Sequence, residues 1–189
     1  MEALLISTSV VALAEFGDKT QLLAIFLVAK FRKPVPVIAG IFVSTIGNHF
    51  LSALAGAELA SWLEGDWFRY LIAISFVAMG LWTLVPDKLD DDRPETIRHG
   101  AFITTAIVFF LVEIGDKTQI ATVALGARFG ELLAVTVGST LGMMIANVPA
   151  VYLGQRIFGL ISPGLLRSVA AAFFILLGLW LFIATAGIF

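Results

Sequence analysis

Six apolar runs, each near the length of roughly 20 mostly apolar residues that crosses a bilayer as a helix, alternate with short polar breaks along the chain. They cover 3–29, 35–57, 68–86, 101–127, 132–154 and 165–187. Lys30, Arg32, Lys33, Pro34 and Pro36 end the first, and Glu58, Glu64, Gly65 and Asp66 separate the second from the third. Pro86 stops the third. Gly130 and Glu131 mark a tight turn after the fourth, and a link containing Arg156 and Pro163 precedes the sixth. Residues 87–99 are the long hydrophilic stretch, and Asp90-Asp91-Asp92 within it reads as a solvated linker whose charge keeps it out of the bilayer. The pattern predicts an all-α membrane protein with six transmembrane helices. Ala12-Leu13-Ala14 resembles a signal cleavage site, but the start carries Glu2 and no basic residue, so the first run is expected to remain as a helix.

Composition agrees. The 189 residues are 59% hydrophobic and 14% charged, against about 45–50% and about 25% in soluble domains, and the mean hydropathy is +0.98. There is no cysteine, which excludes disulfides and thiolate metal sites. P-loops, nucleotide fingerprints, nucleophile elbows and basic clusters with interleaved aromatics are absent, so neither nucleic acid nor an organic cofactor is expected. Trp62, Trp67, Trp82 and Trp180 are placed as interfacial anchors, and Gly40, Gly47, Gly56, Gly138 and Gly142 as points of close helix approach.

The two halves are copies. A shift of 98 residues carries Glu15–Phe31 onto Glu113–Phe129, and carries Arg69, Phe76 and Gly80-Leu81-Trp82 onto Arg167, Phe174 and Gly178-Leu179-Trp180. A shift of 95 carries Ser44-Thr45-Ile46-Gly47 onto Ser139-Thr140-Leu141-Gly142. The chain divides into a first three-helix repeat (1–86), an acidic cytoplasmic linker (87–99) and a second repeat (100–189). Three spans are an odd number, so the second half enters the membrane from the opposite side. This is an inverted-topology repeat, with a site expected near the midplane. With both termini on the extracytoplasmic side, the inner links hold eight basic residues (Lys30, Arg32, Lys33, Lys88, Arg93, Arg98, Arg156, Arg167), against Arg69 and Arg128 outside. The positive-inside rule favours that orientation.

Each half carries, in the middle of an apolar run, the same heptapeptide: Glu15-Phe16-Gly17-Asp18-Lys19-Thr20-Gln21 and Glu113-Ile114-Gly115-Asp116-Lys117-Thr118-Gln119. An ionisable residue at the bilayer centre costs about 2.5–3.5 kcal/mol even on lenient insertion scales. Six of them call for a shared polar site. On an unbroken helix, Glu15, Asp18 and Lys19 share a face and Thr20 turns away. Gly17 and Gly115 weaken the helix there and permit unwinding, and the sequence leaves that choice open. Four carboxylates and two ammonium groups sum to −2, the balance of one divalent cation. Carboxylate, amide and hydroxyl oxygens favour a hard cation such as Ca²⁺, Mg²⁺ or Mn²⁺. The candidate ligands are Glu15, Asp18, Glu113 and Asp116. Gln21, Gln119, Thr20, Thr118, Asn48 and Asn147 are auxiliary polar residues, and Lys19 and Lys117 tune the charge. His49, or Met143 and Met144 beside Asn147, would add softer donors, although such residues in membrane helices more often pack. Clustered acids in a low-dielectric site cannot all stay ionised, so cation binding would expel protons and couple the two fluxes.

The duplicated Glu-x-Gly-Asp-Lys-Thr motif, in two three-span halves, resembles the Gdt-type cation/proton exchanger family over essentially the whole chain. The resemblance implies a cation site formed by Glu15, Asp18, Glu113 and Asp116, and a bacterial manganese exporter of the inner membrane. Mn²⁺ would be the transported ion, with Ca²⁺ as the alternative seen in eukaryotic relatives. No resident cofactor is implied.

Four other readings compete. The Gly-Asp pairs suggest an intramembrane aspartyl protease, but Lys19 and Lys117 would keep both acids ionised where such a dyad shares a proton. An exporter of a small organic cation or amino acid should need aromatic or arginine contacts beside the acids, and Phe16 is answered by Ile114 in the other motif. A passive channel would let cations run inward. A buried ion-pair clip would do work that hydrocarbon does more cheaply. Oligomeric state is not legible.

Overall fold

The computed structural model describes residues 1–63, 65–85, 100–154 and 163–187. Among the described residues there are eight helices and no strand: α1 (Glu2–Glu15), α2 (Lys19–Phe31), α3 (Pro34–Trp62), α4 (Asp66–Thr83), α5 (Ala101–Glu113), α6 (Lys117–Phe129), α7 (Leu132–Leu153) and α8 (Pro163–Thr185). The linker 87–99 and most of the link before α8 lie outside the described residues. Pro34 opens α3 at a position where its missing N–H is no loss. Gly130, left-handed at φ +64°, closes α6 by donating its N–H to Gly126 O.

Hydropathy alone makes 3–29 and 101–127 single helices. The structure divides each of them at its motif glycine, giving α1 with α2 and α5 with α6. Three other helices, Pro34–Trp62, Leu132–Leu153 and Gly164–Thr185, are individually long and apolar enough to cross a membrane. Large apolar side chains such as Leu5, Phe42, Leu71, Leu111, Leu176 and Trp180 lie exposed on the outer faces. Soluble proteins rarely expose contiguous apolar surface beyond a few hundred Å², so this exterior suits hydrocarbon.

Glycines set the helix pairing and its direction. The Cβ position of Gly138 is closed by Leu4 and Ser7, that of Gly142 by Thr8 and Ala12, and Asn147 meets Glu15, so α1 and α7 run parallel. Gly40 lies against Phe102 and Thr105, and Asn48 against Phe110, so α3 and α5 also run parallel. The α4/α8 pair is antiparallel and reciprocal. A Cβ on Gly80 would stand 2.9 Å from Ala171 O and 2.6 Å from Ile175 Cγ1, and one on Gly178 would stand 2.7 Å from both Ala73 O and Val77 Cγ2. Each of these contacts maps onto its partner by the 98-residue shift. Phe76 stacks on Phe174, also related by that shift, with ring centroids 6.3 Å apart at the centre of the larger apolar core. A second core joins Leu27 of α2, Ile41 of α3 and Phe109 of α5. The polar motif turns are built into this close-packed frame.

Candidate functional site

The break inside each motif is a defined turn. Phe16 has φ −64° and ψ 119°, Gly17 has φ +81°, and Asp18 N donates to Glu15 O at 3.1 Å. In the other half, Ile114 has φ −62° and ψ 119°, Gly115 has φ +77°, and Asp116 N donates to Glu113 O at 3.0 Å. A type II β-turn has about −60°, +120° at its second residue and about +80° at its third, which is why the third is glycine. The turn places the glutamate at the C-terminal end of one half-helix and the aspartate at the N-cap of the next.

The motif glutamines complete these turns. Gln21 Oε1 accepts the Gly17 N–H at 3.0 Å, and Gln119 Oε1 accepts the Gly115 N–H at 2.6 Å. Gln21 Nε2 also donates to Ala146 O of α7 at 2.9 Å. The glutamine oxygens offered by the sequence as auxiliary donors are thus engaged by backbone. Thr20, which an unbroken helix turns away, instead donates its hydroxyl to Glu15 Oε1, because the turn reorients α2 relative to α1. Thr118 does something different: its N–H and its hydroxyl both reach Asp116 Oδ2, at 3.4 and 3.1 Å.

All four motif carboxylates are at most 5% exposed. One oxygen from each of Glu15, Asp18 and Asp116 lies within 4.8 Å of the others, so the trio draws on both halves of the chain. Oxygens bound to one Ca²⁺ at about 2.3–2.6 Å stand no more than about 5.2 Å apart. The spacing is therefore that of ligands around one ion of this size class. Lys19 Nζ, from the first half, lies 3.0 Å from Asp116 Oδ1 in the second. Lys117 is buried and directs its ammonium to Val85 O at 3.1 Å and over the Trp82 ring, 5.7 Å from its centroid.

Glu113 is not part of the trio and is held differently. Thr45 Oγ1 donates to its Oε1 at 3.2 Å, and Asn48 Nδ2 to its Oε2 at 3.0 Å, so both oxygens have donors. Glu15 has Thr20 and Asn147 Nδ2, the latter at 2.9 Å, on Oε1 alone. Its Oε2 is buried without a hydrogen-bond donor among the described residues, and so is the Oδ1 acceptor of Asn147. A buried polar group without a partner costs on the order of 1–3 kcal/mol. These two acceptors belong to residues that hydrogen-bond each other, and Glu15 is also one of the acidic trio, so a cation held there would satisfy them.

The asparagines therefore act crosswise. Asn48 of the first half holds Glu113 of the second, and Asn147 of the second holds Glu15 of the first. Thr45 was not singled out as a site residue, and its only signal was its place in the repeated Ser-Thr-x-Gly segment. His49 is buried beside Asn48 with neither ring nitrogen bonded among the described residues.

Comparisons with known proteins point to one family. The family model described as "Divalent cation/proton antiporter GDT1" matches residues 3–91 and 101–188. A Vibrio cholerae protein named "Putative manganese exporter" is 47% identical, covering 95% of this chain and 90% of its own. "GDT1-like protein 5" of Arabidopsis thaliana is 24% identical, covering 92% of each chain. "GDT1-like protein 3" of Oryza sativa subsp. indica is 25% identical, covering 92% of this chain and 71% of its own. No solved structure matches. The family is one of membrane transporters rather than enzymes, and the apolar helices fit a multi-pass membrane protein. A buried acidic cluster shared by two copies of one motif, and a family match that spans both copies, lead to one assignment: the chain belongs to the GDT1 family of divalent cation/proton antiporters.

Proposed function

We propose that this chain is a six-span secondary transporter of the inner membrane that exports Mn²⁺ in exchange for protons, with Ca²⁺ as a second cargo. In this reading α1 with α2 and α5 with α6 each form one span, both termini are extracytoplasmic, and the two halves are inverted repeats. The parallel α1/α7 and α3/α5 pairs and the reciprocal antiparallel α4/α8 pair support that topology, since a two-fold axis in the membrane plane generates these directions.

The observation that carries the reading is the buried trio Glu15, Asp18 and Asp116 beside the orphaned Glu15 Oε2 and Asn147 Oδ1. These groups would take the cation, while Lys19 holds Asp116 in place until it arrives. Glu113, tied by Thr45 and Asn48, would become the equivalent ligand when the halves exchange roles. When the cation leaves, the buried acids would take up protons. Exporting a divalent ion against 100 mV, negative inside, costs about 4.6 kcal/mol, and two protons entering cancel that electrical work.

The test is flux in sealed vesicles of purified protein, with Mn²⁺ or Ca²⁺ outside and a pH indicator inside. Cation entry with matched proton exit is expected, and both are expected to vanish in Glu15→Gln and Asp116→Asn. Cation entry without proton movement would refute exchange, and undiminished flux in those variants would refute the site.

A further inference from the structure

We propose that Met143 is a selectivity-determining residue of the cation site, its thioether favouring softer divalent ions over Ca²⁺ and Mg²⁺. The inference rests on the cation-site reading above and deepens it.

Met143 is fully buried in α7, one turn before Asn147. Its Sδ lies 3.3 Å from Asn147 Nδ2, the nitrogen that also donates to Glu15 Oε1 at 2.9 Å. One nitrogen atom therefore stands between the sulfur and the carboxylate. Asn147, the residue the sulfur approaches, has its Oδ1 buried without a donor among the described residues, and so does Oε2 of Glu15, to which Asn147 donates. Measured from its own asparagine, the other half has no sulfur one turn earlier. Around Glu113 the corresponding place on α3, one turn before Asn48, is taken by Ser44 and Thr45, and Thr45 donates directly to the carboxylate. Among the described residues, the hydrogen-bond donors on Glu113 are thus a hydroxyl and an amide, whereas the amide that holds Glu15 also meets a polarizable sulfur. Met144, the neighbour in sequence, packs into the apolar core shared with α2, α3 and α5.

The chemistry follows from ligand softness. Carboxylates and amide oxygens alone suit Ca²⁺ and Mg²⁺ at least as well as Mn²⁺, whereas thioethers prefer softer transition metals. Methionine has three rotatable side-chain bonds, so its sulfur can swing towards an ion held by Glu15 without backbone movement. A cation settling on Glu15 Oε2 and Asn147 Oδ1 would draw the amide oxygen in and free the sulfur from Asn147 Nδ2. The thioether would then be a weak additional donor that Ca²⁺ cannot exploit and that Mn²⁺ uses modestly. Cd²⁺, the softest of the three, would use it most.

The test is vesicle flux of Mn²⁺ and Ca²⁺ by the purified protein, with Cd²⁺ as a competitor, for wild type, Met143→Leu, Met143→Gln and Met144→Leu. Met143→Leu keeps the volume and removes the sulfur. It is expected to lower the Mn²⁺/Ca²⁺ ratio of kcat/KM by about ten-fold, the low end of what loss of a supporting group costs a metal site. Cd²⁺ inhibition is expected to weaken more than Mn²⁺ transport. Met143→Gln replaces sulfur with a hard oxygen and should move the ratio further towards Ca²⁺. Met144→Leu should leave it unchanged. An unchanged ratio in both Met143 variants, or equal losses for all three ions, would overturn the inference while leaving the exchanger reading intact. Wild-type protein that carries neither ion against protons would overturn the exchanger reading itself. Size-exclusion profiles confirm that each variant is folded, and Met143→Gln carries the test if Met143→Leu is not.

Discussion

Gly115 offers a clean test of the turn that carries the acids. A Cβ added there meets no atom within 4 Å, so replacement by alanine creates no clash. The cost is conformational only. At φ +77° an L-residue lies in the left-handed region, which costs roughly 1–2 kcal/mol. A domain of 150–250 residues shifts its Tm by about 2–4 °C per kcal/mol, so Gly115→Ala should melt about 2–8 °C lower. Gly164 provides the opposite control, because it also has open space but lies in the first turn of α8, without a left-handed φ. Gly164→Ala should be neutral or stabilise by up to about 1 kcal/mol. Gly115→Asn should recover part of the loss, since asparagine tolerates positive φ. The assay is thermal denaturation of purified protein followed by ion-exchange flux in vesicles. If Gly115→Ala relaxes the turn, Glu113 and Asp116 lose their spacing and transport falls more than stability does. A Gly115→Ala protein with wild-type Tm and wild-type flux would refute the reasoning.

Further predictions concern the partners of the acids. Lys19→Met and Asp116→Asn should be non-additive, with a coupling of about 0.5–3 kcal/mol in a double-mutant cycle read by denaturation, because the pair crosses between halves at 3.0 Å. Asn48→Leu removes the donor to Glu113 Oε2 and to Phe110 O, and should cost about 1.5–3 kcal/mol, measured as a fall in denaturation midpoint. Gln119→Leu deprives the Gly115 N–H of its acceptor and should destabilise by about 1 kcal/mol and slow transport. Gln119→Glu, which keeps an acceptor oxygen, should be milder in both measurements.

Much of this arrangement was legible because it is repeated. The 98-residue shift picks out the motif, and it also predicts that Gly80 and Gly178 are equivalent, as their mirrored contacts with Ala171 and Ala73 bear out. The turn was only half legible. Glycine in an apolar helix signals a possible break, but the same residue serves close packing at Gly138 and Gly142, and nothing local separates the two uses. Once the chain turns at Gly17, helical spacing no longer says which way Thr20 points. The crosswise bonds were hidden for a different reason. Asn147 meets Glu15 across 132 residues, and Thr45 meets Glu113 across 68, so no window along the chain holds both partners.

The crosswise asparagines have a consequence for how the protein can be assembled. Each half carries a glutamate whose amide donor is in the other half, and an amide whose carboxylate is in the other half. A half made alone would leave its acid without the amide donor and its amide without the acid. Separately translated halves should therefore be short-lived on their own and rescue each other when made together. Quality control over the whole molecule is in effect written into two side chains, each of which vouches for the presence of the other's segment.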